Sequence, residues 1–217
     1  MQKKLVVFDM DDTLIKGNTW ADFNSSMGVT EKQDWDLYSA FSKNEITYDD
    51  WLLALKKLYN LNENKHSKEQ VLEYLTQYNI KEDAHSALQE INKTEHQTLL
   101  LSGSFQITAD AVAFELGIQE AIATNNCIFD NDGMLYDIES AGDEQHAKVN
   151  ELKKLCEERN ISLTDCVIIG DGDNDKELFK LTEHSVTFMN SDKETKVIAN
   201  HEIRSLTELP ELLRRLT

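Results

Sequence analysis

The 217-residue sequence contains one proline, eight glycines and three cysteines. So little proline and glycine argues against a loop-rich β fold and favours long helices. Cys127, Cys156 and Cys166 show no CxxC spacing, so we expect no disulfide framework and a reducing compartment. The six histidines form no HxxxH pair, which disfavours a zinc site.

Cationic residues are also scarce, because 22 Lys+Arg stand against 40 Asp+Glu for a formal net charge of −18. This balance is unsuited to nucleic acids and to anionic membrane surfaces, so neither partner is expected. The apolar run at 5–8 is too short for a signal peptide, and no stretch approaches the roughly 20 apolar residues of a membrane span. We therefore predict a cytoplasmic location, whereas the sequence gives no indication of the oligomeric state.

Short apolar runs alternate with helical patterns along much of the chain. The runs lie at 5–8, 98–101, 121–124, 166–169 and 185–189, and the helical stretches at about 105–116, 144–159, 174–181 and 192–200. This alternation predicts βαβ units and a parallel sheet. Residues 127–136, around an Asn-Asp-Gly turn, predict a small hairpin. The fold class is therefore α/β, with a three-layer Rossmann-like sheet as its core.

Residues from about 18 to 95 interrupt the alternation with four or five short helices. We predict a core domain of residues 1–17 and 96–217 and an inserted helical-bundle cap of residues 18–95. All three tryptophans and five of the six tyrosines lie in this insertion. They either fill the core of a small bundle, which we favour, or face a ligand pocket.

The first candidate site follows the first strand, where the chain reads Asp9-Met10-Asp11-Asp12-Thr13. Side chains at the carboxyl end of a parallel strand stand where open α/β sheets bind ligands. Two carboxylates two positions apart can share one site if a cation offsets their repulsion, and hard divalent cations prefer oxygen ligands. The alternative is a loop of solvated acids, which is common in so acidic a chain.

The second candidate site ends another strand with Gly170-Asp171-Gly172-Asp173-Asn174-Asp175. Its glycines permit tight turns, and Asp171 and Asp175 could join the same cation. A calcium EF-hand fails here, because its sixth and twelfth positions would be Lys176 and Thr182 instead of Gly and Glu.

Two weaker signals lie between these acidic motifs. Ser102-Gly103 follows a strand and offers a phosphate oxygen both a hydroxyl donor and a close backbone N–H. Lys148 lies near the start of a predicted helix. Each signal alone also fits an ordinary turn or a solvated lysine, so their value lies in their order along the chain.

In order, the four motifs are strand-DxDxT, strand-SG, Lys and strand-GDGxND, and they resemble those of the haloacid dehalogenase superfamily. The likeness is to the phosphatase subgroup that includes phosphoserine phosphatase, whose cap is inserted at the same place. This resemblance implies that Asp9 is a nucleophile forming an aspartyl-phosphate and that Asp11 is the general acid and base. It implies Mg²⁺ as cofactor, held by Asp9, Asp171, Asp175 and the backbone carbonyl of Asp11.

The resemblance also implies a phosphate-binding set. Ser102, the Gly103 N–H and Lys148 would hold the phosphoryl oxygens, and Asn174 is counted with them. Asn174 and Asp175 would complete the metal shell or orient Lys148. The implied partner is a small-molecule phosphate ester, and the implied activity is phosphomonoester hydrolysis. Two alternatives stay open: transfer of the phosphoryl group to an alcohol, and a non-catalytic regulatory protein of the same fold.

The sequence departs from the phosphoserine phosphatases at the expected substrate contacts. Asn18 stands where they resemble one another in carrying a glutamate for the substrate ammonium, and no arginine precedes Arg159 to bind a substrate carboxylate. Phosphoserine is therefore disfavoured. Asn18 and Trp20 are candidate specificity residues, and Trp20 suits an apolar alcohol or, by cation–π contact, a cationic one.

Overall fold

A seven-stranded, mostly parallel sheet lies at the centre of the computed structural model, which describes residues 4–216. The strands, with those of a separate two-stranded ribbon, are β1 (Leu5–Phe8), β2 (Ile15–Lys16), β3 (Asn79–Ile80), β4 (Gln97–Phe105), β5 (Glu120–Phe129), β6 (Leu135–Ser140), β7 (Cys166–Ile169), β8 (Ser185–Phe188) and β9 (His201–Ile203). The order across the large sheet is β6-β5-β4-β1-β7-β8-β9, and the ribbon pairs β2 with β3.

The middle strand, β1, pairs in parallel with β4 on one side and with β7 on the other. Every residue of β1, β7 and β8 is buried, as expected of a parallel sheet that is covered on both faces. The hairpin β5–β6 supplies an antiparallel edge. The carboxyl ends of β1, β4 and β7 therefore open side by side at one edge of the sheet.

Helices connect the strands and form the insertion. Those that the structure describes are α1 (Thr19–Ser26), α2 (Glu31–Ser42), α3 (Tyr48–Tyr59), α4 (Lys68–Leu75), α5 (Glu82–Ile91), α6 (Gln106–Leu116), α7 (Glu144–Arg159), α8 (Lys176–Phe179), α9 (Lys193–Ile198) and α10 (Leu209–Arg215). Thr30, Thr47 and Ser67 begin α2, α3 and α4 with reciprocal capping boxes. These caps satisfy backbone N–H groups that a helix start leaves unpaired.

Alternate residues of β1 build two separate apolar layers. Val6 and Phe8 pack toward α5, α6 and α10, whereas Leu5 and Val7 pack toward α7 and α8. The two-residue period of a strand sends neighbouring side chains to opposite faces, so the core has three layers. The predicted α/β class with a three-layer parallel sheet is confirmed.

The inserted helices contain a third apolar cluster, which also involves the β5–β6 hairpin. The Trp20 ring centroid lies 5.0 Å from that of Trp51 and 4.4 Å from that of Phe105. These aromatic side chains fill a core, as the favoured interpretation holds. Trp35 and Tyr38 of α2 differ, because they are 65% and 50% exposed.

Helix α5 packs with the sheet, in an apolar layer separate from the cluster of the other inserted helices. Its buried Ala84, Leu88 and Ile91 belong to the apolar layer of Val6 and Phe8. The division into core and cap at residues 18 and 95 stays a prediction, and the packing of α5 favours a cap that ends near residue 81.

Each predicted apolar run coincides with a strand, although the run 185–189 extends one residue beyond β8. The predicted hairpin is the β5–β6 pair. The stretch 144–159 coincides with α7, whereas 174–181 divides into a 3₁₀ turn, Asp173–Asp175, and the short α8. Strand β9 and helix α10 were not predicted. Three residues of β9 are too few for a clear period-two pattern.

Candidate active site

The site lies where the carboxyl ends of β1, β4 and β7 meet. Asp9 directly follows β1, and its backbone N–H donates to the Ile169 carbonyl of β7 at 2.8 Å. Asp171 comes two residues after β7, and Ser102 lies within β4. Parallel pairing therefore brings Asp9 close to motifs that lie 93 and 162 positions further along the sequence.

Three carboxylates converge at this edge. Oxygen atoms of Asp9, Asp171 and Asp175 all lie within 4.8 Å of one another. Burial raises the pKa of Asp9 well above its usual value, and the Asp175 and Asp171 charges raise it further. Burial, and then the Asp175 charge, raise the pKa of Asp171 to about 6. A divalent cation would relieve this repulsion, and an all-oxygen donor set of this kind fits Mg²⁺.

Lys148 is fully buried between two of these carboxylates. Its Nζ lies 2.7 Å from Asp9 Oδ1 and 2.6 Å from Asp175 Oδ1. Burial lowers the pKa of Lys148, but the Asp175 and Asp9 charges outweigh this effect and raise it above its usual value. The lysine is therefore a fixed positive charge beside Asp9.

The loop after β7 is shaped around the Asp175 carboxylate. Asp175 Oδ2 accepts hydrogen bonds from the backbone N–H groups of Asp171 at 3.1 Å and Gly172 at 3.4 Å. A Cβ at Gly170 would overlap that carboxylate. Gly170 is thus required by a close approach of a side chain to the backbone.

Asp11 lies outside the group of three clustered carboxylates and bonds to the insertion. Its Oδ1 accepts a short hydrogen bond from the Thr19 hydroxyl at the start of α1. Burial raises the pKa of Asp11 to about 6, although the bonds from Thr19 lower it. An acid with this pKa can carry a proton near neutral pH and also release it.

Ser102 and Gly103 are buried within β4, near its carboxyl end, and do not follow the strand as predicted. Ser102 Oγ accepts from the Ser104 N–H at 3.1 Å, which leaves its own proton free to be donated. The Gly103 carbonyl accepts from Trp20 Nε1 at 3.2 Å and from Asn125 Nδ2 at 2.8 Å. Trp20 therefore ties α1 of the insertion to this strand end.

Two other predicted residues, Asn174 and Asn18, make hydrogen bonds outside the carboxylate cluster. Asn174 Nδ2 donates to Glu144 Oε2 at 3.2 Å. Asn18 is exposed and caps α1, because its Oδ1 accepts from the Ala21 N–H at 3.0 Å. A role for Asn18 or Trp20 in substrate specificity stays a prediction.

A profile of the haloacid dehalogenase-like hydrolase family matches residues 6–180. The chain belongs to this family. It is similar to phosphoserine phosphatase from Methanocaldococcus jannaschii, with 26% identity over 187 residues and 86% of each chain covered. Two solved structures are similar over the full length of both chains: a substrate-bound phosphoserine phosphatase complex, with TM-score 0.79 and 25% identity, and a phospho-aspartyl intermediate analogue of phosphoserine phosphatase, with TM-score 0.77 and 26% identity.

These similarities confirm the resemblance drawn from the four motifs and the predicted enzyme class, a phosphatase. The divalent metal expected of this haloacid dehalogenase-like hydrolase agrees with the acidic cluster of the site. Across residues 4–216, none of the helices is both long and apolar enough to span a lipid bilayer.

Several residues of this haloacid dehalogenase-like site were missed by the sequence reasoning. Thr13 Oγ1 donates to Asp171 Oδ1 at 3.3 Å, and it is the threonine of the DxDxT motif. Asn125 could have been suspected, because it follows the apolar run 121–124 directly, although it lies within β5. Glu144 gave no signal, since a glutamate at a helix start is ordinary.

Proposed function

We propose that the chain hydrolyses a small-molecule phosphomonoester with Mg²⁺, through an aspartyl-phosphate formed on Asp9. The observation that most supports this is the meeting of Asp9, Asp171 and Asp175 around Lys148 at the carboxyl edge of the sheet. Three carboxylates and one lysine alone would repel a phosphate ester, whereas a divalent cation among them makes the site attractive to it.

Two aspartates would divide the chemistry. Asp9 attacks phosphorus as a carboxylate; the new P–O bond forms as the ester P–O bond breaks, and Asp11 gives its proton to the departing alcohol oxygen. Asp11, now ionised, accepts a proton from the water that attacks the phosphorus. The bond from phosphorus to Asp9 breaks, phosphate leaves, and Asp11 is again protonated.

The remaining site residues would bind and orient the phosphoryl group. The Ser102 hydroxyl, the Gly103 N–H and Lys148 donate to its oxygens, with Asn174 at the side of the group. Asp9, Asp171, Asp175 and the Asp11 carbonyl would hold Mg²⁺. When bound, this cation neutralises charge that develops on the transferring group.

The substrate is expected to differ from phosphoserine, although the relatives compared above are phosphoserine phosphatases. Asn18 offers no carboxylate to a substrate ammonium, and the insertion contains no arginine for a substrate carboxylate. A lysine would replace that arginine only as a less directional charge. We further propose that the enzyme works in the cytoplasm, in accord with its few cysteines.

Phosphoryl transfer to an alcohol is a second candidate, since an alcohol can replace water at the aspartyl-phosphate. A non-catalytic binding protein is disfavoured, because pure binding does not need an acid such as Asp11, with its pKa of about 6. Both alternatives use the same site as the proposed hydrolase, so one experiment can distinguish the three functions.

The test is a screen of small phosphate esters with and without Mg²⁺, for wild type, Asp9→Asn and the control Asp36→Asn. Asp36 pairs with Lys32 on the exposed face of α2. Wild type and Asp36→Asn should release phosphate only with the cation, and Asp9→Asn should be slower by at least about a thousandfold. Turnover that survives in Asp9→Asn would show the mechanism to be wrong. Phosphorylated products from added alcohols would indicate a transferase, and no turnover would indicate a binding protein.

A further inference from the structure

A carboxylate outside the four motifs lies at the phosphate-binding end of the site. Glu144 is the first residue of α7, one turn before Lys148. A Cβ added to Gly103 would lie 2.6 Å from both Cδ and Oε2 of Glu144. The same Oε2 accepts a hydrogen bond from Asn174. Glu144 therefore touches two residues of the proposed phosphate-binding set.

Glu144 lacks a cationic partner in the structure. Within residues 4–216, no lysine, arginine or histidine nitrogen lies within 4.0 Å of its carboxylate. Burial raises the pKa of Glu144 to about 7; the Asn174 bond and the Lys148 charge lower it, and the Asp11 charge raises it. A half-buried carboxylate with one neutral donor is incompletely compensated.

Two tyrosines of the insertion lie within electrostatic range of Glu144. Burial raises the pKa of Tyr38 of α2, and the Asp173 and Glu144 charges raise it further. Burial likewise raises the pKa of Tyr48 of α3, and the Glu144 charge adds to this effect. Carboxylates and aromatic rings are the groups that bind organic ammonium ions.

The charge of the site makes a substrate cation favourable. The four site aspartates and Glu144 place five carboxyl groups around Lys148. With Asp11 protonated, as the first chemical step requires, and the other four ionised, Lys148 and one divalent cation still leave one negative charge in excess. A phosphate dianion beside Glu144 would meet repulsion, and a positive charge on the same substrate would offset it.

We propose that Glu144 is a specificity-determining residue that binds an ammonium group on the alcohol part of the substrate. This inference rests on the proposed function and names its substrate class: phosphate monoesters of amino alcohols that carry no carboxylate. The contacts of Glu144 with Gly103 and Asn174 place its charge next to the phosphoryl group, so a small amino alcohol suffices to connect the two. The absence of a cap arginine removes the partner that a substrate carboxylate would need.

The test compares esters of nearly equal shape and different charge. Phosphocholine is paired with 3,3-dimethylbutyl phosphate, and phosphoethanolamine with propyl phosphate, with Mg²⁺ present throughout. Values of kcat and KM are measured for wild type, Glu144→Gln, Glu144→Asp and Glu158→Gln. Glu158 is an exposed residue of the same helix, so its variant has the same change in net charge at a distance from the site.

Wild type should prefer the cationic member of each pair by at least about tenfold in kcat/KM, as for a close pair of opposite charges. Glu144→Gln should lower this preference by at least about tenfold, mainly through KM. Glu144→Asp should retain part of it, and Glu158→Gln should keep the wild-type ratio. Circular dichroism of each variant confirms that it is folded.

The opposing outcomes are distinct. If Glu144→Gln keeps the wild-type preference for the cationic ester, the inference is wrong. It is also wrong if Glu144→Gln hydrolyses both esters of a pair faster by the same factor, because Glu144 would then merely obstruct phosphate. Hydrolysis of both esters by wild type without preference would overturn the inference but leave the proposed function standing. No hydrolysis of any ester by wild type would overturn both.

Discussion

The Lys148 ammonium lies 2.7 Å from a carboxylate oxygen of Asp9, completely buried, although the two residues are 139 positions apart. The same ammonium contacts Asp175, so one lysine compensates two buried acids. Removing one member of such a group leaves charge in a medium that solvates it poorly. The pair is therefore a structural requirement as well as a part of the proposed mechanism.

Lys148→Met should destabilise the metal-free protein by about 3 kcal/mol or more at pH 7, because two acids lose their cation. Burial already raises the pKa of Asp9, and the variant should raise it further. An acid with a raised folded-state pKa stabilises the fold at low pH and loses this contribution as pH rises, so the deficit should grow from pH 5 to pH 8. Urea unfolding at several pH values measures it.

The control is Lys154→Met, which removes an exposed lysine from the same helix. Its effect should stay within about 0.5 kcal/mol. Equal losses in the two variants would contradict the structural role of Lys148.

Gly170→Ala should weaken Mg²⁺ binding by at least about tenfold, or about 1.4 kcal/mol. The new Cβ would overlap the Asp175 carboxylate and move it away from Asp9 and Lys148. Gly172→Ala is the matched control, since the nearest atom to its Cβ would be Asn174 Oδ1 at 3.6 Å, an ordinary contact. Titration calorimetry with Mg²⁺ gives both affinities. Similar affinities in the two variants would show that Asp175 does not support the cation.

Glu144→Gln should stabilise the metal-free protein at pH 8 and have little effect at pH 5. Burial raises the pKa of Glu144 from 4.5 to about 7. Its contribution to wild-type stability is thus complete below pH 4.5 and is lost as pH rises through about 7. Partial exposure reduces the expected gain to about 1 kcal/mol. Thermal unfolding across this pH range measures the change in stability. The control Glu158→Gln should not show the gain at pH 8. A gain in stability that does not depend on pH would argue against an ionised, incompletely compensated Glu144.

Trp20→Phe should raise KM by about three- to tenfold for neutral and cationic esters alike. The substitution keeps a ring in the aromatic cluster but removes the hydrogen bond to the Gly103 carbonyl, worth about 1 kcal/mol. Trp51→Phe is the control, because the Trp51 N–H has no hydrogen-bond partner in the described structure. An increase confined to cationic esters would favour the cation–π role of Trp20 instead. Equal increases of KM in the two variants would show that the Trp20 hydrogen bond is not important for substrate binding.

The strands and the acidic motifs could be predicted because their signals are local. Four consecutive apolar residues ending at Asp9 indicate a buried strand and a polar strand end without knowledge of any partner. The same holds for the apolar run that ends directly before Gly170. The order of these local signals along the chain was sufficient to identify the family.

What the sequence could not provide depends on contacts between distant segments. The burial of Lys148 depends on where α7 packs on the sheet, and the packing of α5 against the sheet depends on its apolar face meeting Val6 and Phe8. Local sequence patterns give neither the position of α7 on the sheet nor that of α5.

The sequence alone determined the carboxylates, the strands that carry them and the family to which they belong, because hydrophobic periodicity and motif order are properties of neighbouring residues. Only the tertiary structure decided that Asn18 caps a helix, that Asp11 bonds Thr19 and that Glu144 reaches Gly103. The direction of a side chain follows from the packing of the whole fold around it.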